Sequence, residues 1–297
     1  MMTTDEYLSH CYIIPERPPV LPLPDEAFLS GWKEAKGKAA QELLAENVNR
    51  AVAAVSLKNE KAFRVFLAET LGGRLPVVVT GERDDFLCLE AALNGRKEIA
   101  DIPVTVNAFA MQARTDQTPG YRLLLLGQGP YSNVPARSLG LEEEEWLERS
   151  YILRLAHECA HYETLRLFGG MQNHALDEIV ADAMGQITAF GNFSAERQRL
   201  FFGLEQGTGR CTGRLAFYCR AVLPWERAVV YRSVDAMLDN LENEINGFLT
   251  EKKGLSEKNG GASSVTTLLT DKKVKYELLA NLAGTSIANR IKDVSLA

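Results

Sequence analysis

Residues 155–165 read Leu155-Ala156-His157-Glu158-Cys159-Ala160-His161-Tyr162-Glu163-Thr164-Leu165. The chain has only four histidines, and two of them stand four positions apart here. On an α-helix that spacing puts both imidazoles on one face, one turn from each other. Two imidazoles so placed can bind one Zn²⁺. A glutamate directly after the first histidine then sits where it can take a proton from a water on that metal. The context is helical. Leu147, Tyr151, Leu155, Tyr162 and Leu165 fall on a helical repeat, and Ile152, Ala156, Cys159 and Ala160 widen the apolar surface. Glu142 to Glu145 suit a helix N-terminus, and Gly169-Gly170 end the segment. Cys159 reads as a packed thiol. The bland alternative is a buried helix whose polar residues pair internally.

Zinc hydrolases use three protein ligands and leave one position for water. Downstream, Leu176, Ile179, Val180, Ala183, Met184 and Ile187 form a second helical stripe. Glu178 and Asp182 lie four apart on it and share a face. Glu178 can reach the metal. Asp182 can accept the second N–H of a ligand histidine and so fix its tautomer. His174, Asp177 and Asp182 are rival third ligands, and the residues by themselves leave that choice open.

The combination H-E-x-x-H followed by E-x-x-x-D resembles the gluzincin metallopeptidases. The resemblance implies His157, His161 and Glu178 as ligands of one zinc per chain, Asp182 behind them and Glu158 as general base. His174 stays as the alternative ligand. The metzincin pattern fails, because Thr164 and Leu167 stand where it needs Gly and His. Upstream, Ile102 to Ala110 reads as a strand by its β-branched alternation. Its Asn107-Ala108-Phe109-Ala110 looks like the substrate-edge strand of the M48-type gluzincins, which implies that Asn107 and Ala108 hold extended substrate by strand addition. The departures are Met111 to Gly120 in place of that family's glycine-rich hairpin, and a longer gap to His157. The likeness covers about residues 101–187. In such enzymes an oxyanion donor comes from beyond the third ligand; Arg210, Arg214, Tyr218 and Tyr231 are the candidates.

Hydrophobic content of 46% and charged content of 24% fit an ordinary soluble globule. A net charge of −6 argues against a nucleic-acid partner. No run reaches the ~18 apolar residues of a membrane span. The N-terminus lacks the basic and apolar regions of a signal peptide. Five scattered cysteines point to a reducing cytoplasm.

Along the chain, residues 1–24 read as a proline-rich arm, extended over 15–24. Residues 25–98 read as a helical N-terminal region: helix over 26–71, stopped by Gly72-Gly73, then a strand over Leu75–Thr80 and a helix over 84–93. Residues 99–192 read as a zincin-like core, with strands at 99–110 and 121–127 and a loop at 128–140. Residues 193–297 read as a helical C-terminal region, with a polar loop over 252–264. All four stretches can also form one domain. The expected fold is α+β, mostly helical, with a small mixed sheet beside the H-E-x-x-H helix. The expected function is a zinc-dependent hydrolase, above all a soluble metallopeptidase with a peptide or protein substrate. The alternatives are a silent zinc-binding or interaction protein, and a non-peptidase metallohydrolase.

Overall fold

Helices make up most of the regular structure, and the strands between residues 64 and 126 make up most of the remainder. The computed structural model describes residues 1–32, 38–104, 106–113, 121–258 and 264–292. In chain order the elements are α1 (Thr4–Leu8), α2 (Ala40–Asn47), β1 (Arg64–Thr70), β2 (Gly73–Val79), α3 (Arg83–Leu93), β3 (Ala108–Ala113), β4 (Tyr121–Leu126), α4 (Glu143–Phe168), α5 (Ala175–Phe190) and α6 (Ala195–Phe202). They continue with β5 (Leu204–Glu205), β6 (Arg210–Cys211), α7 (Leu215–Tyr218), α8 (Arg227–Lys258), α9 (Val265–Leu268), α10 (Lys272–Gly284) and α11 (Ile287–Lys292). The fold is α+β, mostly helical with a small mixed sheet. No helix among the described residues is long and apolar enough to cross a membrane.

The chain divides into two compact units, one of Met1–Leu21 with Pro130–Ala297 and one of Pro22–Gly129. The boundaries expected at 24/25, 98/99 and 192/193 are therefore moved. The first 21 residues group with the helical unit, and the strands at 108–126 group with the residues before them. Residues 15–24 form no helix or strand and are mostly exposed.

In the Pro22–Gly129 unit the sheet order is β1-β2-β4-β3. β1 and β2 form an antiparallel hairpin, β2 runs parallel to β4, and β3 pairs antiparallel with β4. The two central strands read as nearly unbroken apolar runs because both of their faces are covered. Phe86, Leu89 and Leu93 of α3 pack with Val78, Leu123 and Leu125 and with Leu44 and Val52. Gly73 turns the hairpin at φ +98°, where an added Cβ would lie 3.1 Å from the Pro24 carbonyl oxygen. A cleft of about 770 Å³ in this unit, lined by Phe28, Gln41, Glu42 and Arg50 among others, brings no metal-ligating cluster together among the described residues.

Two expectations for this unit are corrected. Helix does not continue to residue 71: Phe66 and Leu67 lie in β1. The strand expected at 102–110 begins only at Ala108. The Arg83 guanidinium takes the carbonyl oxygens of Ile102 at 2.8 Å and Pro103 at 3.0 Å, and also that of Val106, so these carbonyls serve a side chain in place of a sheet partner. Asn107 stands just outside the strand, with its carbonyl accepting the Gly127 N–H at 2.8 Å. Ala108 pairs with Leu126, and β3 is an edge of the sheet. Thr105 and residues 114–120 of the expected strand and hairpin lie outside the described residues.

In the other unit α4 and α5 pack face to face, joined by residues 169–174. Gly169 closes α4 at φ +75°. Gly185 lets the two backbones approach: a Cβ there would lie 2.8 Å from the Leu153 carbonyl oxygen. From Ala175 to Ile187 every residue of α5 is buried, including Asp177, Glu178, Asp182 and Gln186. A helix buried all round carries polar groups only where partners meet them. α8 runs on to Lys258, so residues 252–258 of the loop expected at 252–264 are helical, and 259–263 lie outside the described residues.

Candidate metal centre

α4 carries His157 and His161 on one face, and α5 presents Glu178 to them. His157 Nε2 lies 3.1 Å from His161 Nε2. The Glu178 carboxylate is 3.4 Å from His161 Nε2 through Oε1 and 3.6 Å from His157 Nε2 through Oε2. A tetrahedral site with bonds of about 2.0–2.1 Å has ligand-to-ligand edges of roughly 3.3–3.4 Å. These three buried residues could therefore hold a metal ion with little adjustment. Glu158 is half-buried beside them and makes no hydrogen bond to a described residue.

Asp182 sits behind the cluster. His157 Nδ1–H donates to its Oδ1 at 2.9 Å. That bond leaves the Nε2 lone pair of His157 directed at the cluster. Asp182 also accepts from Tyr131 Oη at 2.6 Å, from Gln198 Nε2 at 2.5 Å and from Arg214 Nη2. Burial by itself would raise the pKa of this carboxyl; the Arg214 cation and the bonds from His157 and Tyr131 hold it well below the usual carboxylate range. Arg214 Nη1 donates to Glu178 Oε2 at 3.0 Å, so one guanidinium spans both carboxylates.

His161 is pushed up to about 9. Burial lowers it, but the hydrogen bond and charge of Glu178 outweigh burial. Glu178 is correspondingly held below its ordinary value by His161, His157 and Arg214 against the effect of burial. With no metal bound, His161 and Glu178 would form a buried imidazolium–carboxylate pair at neutral pH.

His174 does not join the cluster. Its Nδ1 accepts the Leu176 N–H at 3.0 Å as the N-cap of α5, and its Nε2 faces the Tyr7 carbonyl oxygen at 3.0 Å. Burial pulls this imidazole down to about 3, so it is neutral with the proton on Nε2. Asp177 also turns elsewhere, accepting from Tyr12 Oη and the Gln172 N–H. His10, His174 and Asp177 do lie together, but both ring nitrogens of His174 are already engaged. His10 Nε2 and Asp177 Oδ2 stand 3.9 Å apart. That trio fits a metal poorly.

Three supporting residues escaped the sequence reading or were assigned otherwise. Tyr131 came from a stretch read as loop. It stands in a short 3₁₀ turn whose next two residues, Ser132 and Asn133, adopt positive φ of 52° and 56°. The turn sends the phenol inward onto Asp182 and to within 2.9 Å of His157 Nδ1. Gln198 came from α6, where nothing local marks it. Arg214 was considered for the oxyanion but spends its guanidinium on the two carboxylates. Of the remaining oxyanion candidates, Arg210 pairs with Glu205 on the exposed β5–β6 hairpin, and Tyr231 lies beside the thiols of Cys219 and Cys211. Tyr218 lies near Glu178; burial first, and then the charge of that carboxylate, push its phenol well above the ordinary value. Cys159 is a packed thiol whose pKa burial pushes up to about 12.

A family model described as a family of unknown function, DUF7005, matches residues 115–281. The chain belongs to the DUF7005 family. No curated protein and no solved structure matches it. The DUF7005 match contains the whole cluster, from Tyr131 through Arg214 to Tyr218, and leaves out the N-terminal strap and most of the sheet.

Proposed function

We propose that this chain is a zinc-dependent hydrolase acting on peptide bonds, of the gluzincin type. The observation that carries the reading is the triangle of His157 Nε2, His161 Nε2 and the Glu178 carboxylate, with edges of 3.1 to 3.6 Å, beside an uncommitted Glu158 on the same helix. A zinc ion held by those three residues would supply a Lewis acid and bring the pKa of water to about 7. Glu158 takes the proton of the attacking water on its carboxylate and passes it to the leaving amine. Asp182 keeps His157 in the required tautomer, and Arg214 holds the Glu178 carboxylate through its Oε2. Tyr218, which lies near Glu178, is the group best placed to donate to the developing oxyanion. A site closed for structure alone favours four protein ligands. Three converge here among the described residues.

The test is metal content by mass spectrometry, followed by a peptide-library screen. The expected result is about one zinc per chain, lost in His161→Ala and in Glu178→Ala. Glu158→Gln keeps the zinc and loses cleavage by about 10²–10⁴-fold. Cleavage unchanged in Glu158→Gln sinks the hydrolase reading, and a wild type that takes no zinc sinks the metal as well.

Zinc must displace the proton that His161 carries. With that group at about 9, affinity measured by chelator competition rises about tenfold per pH unit from pH 7 and levels off near pH 9. For the metal-free protein the sign is the reverse. The raised folded-state value makes the His161–Glu178 pair stabilising in full below the unfolded value of about 6.5, and that stability fades as pH rises through about 9. A pH-independent zinc affinity over this range would contradict the ion pair.

A further inference from the structure

The residues between Arg214 and Arg227 border the cluster on one side and solvent on the other. Arg214 binds Glu178 and Asp182, and Tyr218 lies near Glu178. The next ring outward is Phe217, which meets Tyr218 edge-on at 5.4 Å and is 47% exposed. Trp225, eight residues on, is 74% exposed. These two are the only exposed aromatic side chains among the described residues. A soluble chain has no packing reason to leave two large rings in water on one connector. Exposed apolar surface of this kind marks contact with something else.

The charge on the same connector is also uncompensated. The Arg220 guanidinium lies over the Phe217 ring at 3.5 Å and donates only to the Phe217 carbonyl oxygen. Arg227 donates only to the carbonyl oxygens of Val222 and Arg220. In the same unit Arg149 meets Glu145, Arg199 meets Asp235 and Asp239, and Arg210 meets Glu205, whereas Arg197, like Arg220 and Arg227, donates to neutral oxygens. Two cations that meet no carboxylate among the described residues, on a chain of net charge −6, are open to an acidic group. A guanidinium stacked on an aromatic ring still presents its edge to a carboxylate in a fixed plane.

We propose that the Phe217–Arg227 connector is the recognition surface of the metal site, and that it takes peptides carrying an acidic side chain next to a large apolar one. The carboxylate pairs with Arg220, with Arg227 adding to the field, and the apolar side chain covers Phe217 and Trp225. This rests on the peptide-hydrolase reading above and narrows it to a substrate class.

The experiment uses the zinc-loaded Glu158→Gln protein, which binds without cleaving. The probe is a fluorescein-labelled nonapeptide with a central Leu-Glu pair, compared with its Leu-Gln and Leu-Lys versions by fluorescence anisotropy at two salt concentrations. The expected result is at least tenfold tighter binding of the Leu-Glu peptide, weakened by salt. Adding Arg220→Glu removes that preference, and adding Phe217→Ala weakens all three peptides alike. Zinc content and melting temperature, read on every variant, stay at the parent's values. Equal affinities for the three peptides, no binding of the Leu-Glu peptide, or a preference untouched by Arg220→Glu would each overturn the proposal. Running the same titration on metal-free protein separates the two readings: a chain that takes no zinc yet keeps the Leu-Glu preference fails as a hydrolase and retains the surface.

Discussion

Replacing Arg214 with methionine lowers the unfolding free energy of the metal-free protein by roughly 3–5 kcal/mol, the usual cost of stripping one partner from a buried charge pair. Glu178 and Asp182 stand one turn apart on a helix with almost no exposed surface. Two carboxylates so placed repel each other and have lost their water. Arg214 meets both with separate nitrogens. Without it, Asp182 keeps Tyr131, Gln198 and His157, whereas Glu178 keeps, among the described residues, only the His161 and His157 imidazoles. Methionine fills much of the same volume, so the loss is electrostatic more than a cavity. Zinc supplies positive charge at the same carboxylate, so the variant, which has one cation fewer beside Glu178, gains more from zinc binding than the wild type. The deficit should therefore be smaller in excess zinc than in chelator. Arg214→Lys recovers little, because one ammonium cannot make both contacts in a fixed plane. Urea unfolding of each variant, with and without zinc, reads this directly. An equal deficit under both conditions would mean that Arg214 acts through packing and not through the charge of the cluster.

The core of the candidate site was legible in the sequence because it is local. His157 and His161 lie one turn apart on α4, and Glu178 and Asp182 one turn apart on α5. A helical period is enough to predict which of them share a face. What holds these residues is not local. Tyr131, Gln198 and Arg214 reach Asp182 from a 3₁₀ turn, from α6 and from the start of α7, and no periodicity links those places. The only trace in the chain is a cost: four acidic or amide groups on an otherwise apolar helix imply partners. That argument tells how many donors to expect without telling where they come from. His174 shows the converse. Its ring chemistry suited a metal, but helix initiation used its Nδ1 and a backbone carbonyl used its Nε2.

The same contrast runs through the fold. α4, α5 and α8 were legible as long amphipathic or apolar periods, and β2 and β4 as dense β-branched or leucine runs. β1 was not. It is a sheet edge, with most of its residues half-buried, so the alternation that marks a strand is weak, and Ala62, Phe63, Phe66 and Leu67 happen to match a helical repeat. Ile102–Val106 had the residues of a strand and lost the ladder to the Arg83 guanidinium, a competitor 19 or more positions away. The division of the chain was hidden for a related reason. The first residues belong with helices that follow them by 150 positions and more, through contacts that no composition shift announces.

Those contacts support the last expectation, that Tyr7→Ala costs about 3–5 kcal/mol, the range for deleting a large buried ring, and also weakens zinc binding. Tyr7 is 1% exposed and stacks on His174 with centroids 3.9 Å apart. Its hydroxyl accepts the Ala175 N–H at 2.8 Å and donates to the Tyr218 carbonyl oxygen at 3.2 Å. Its own carbonyl receives the His174 Nε2 proton. One residue near the start of the chain therefore ties the first turn of α5, three positions before Glu178, to the backbone of Tyr218. Neighbouring contacts reinforce the strap: the Met2 N–H donates to the Ala221 carbonyl oxygen at 2.8 Å, Thr4 Oγ1 donates to Glu226 at 2.8 Å, and Tyr12 Oη donates to Asp177. Tyr7→Phe keeps the ring and the stacking but leaves the Ala175 N–H without its acceptor, so it costs about 1–3 kcal/mol. The helix start positions a candidate ligand, so both variants should lose zinc affinity as well as stability, and alanine more than phenylalanine. Chelator competition at a temperature where each variant is still folded separates the two effects. A destabilised Tyr7→Ala protein with wild-type zinc affinity would show that the strap serves the fold alone, with the position of Glu178 set by α4 and Arg214.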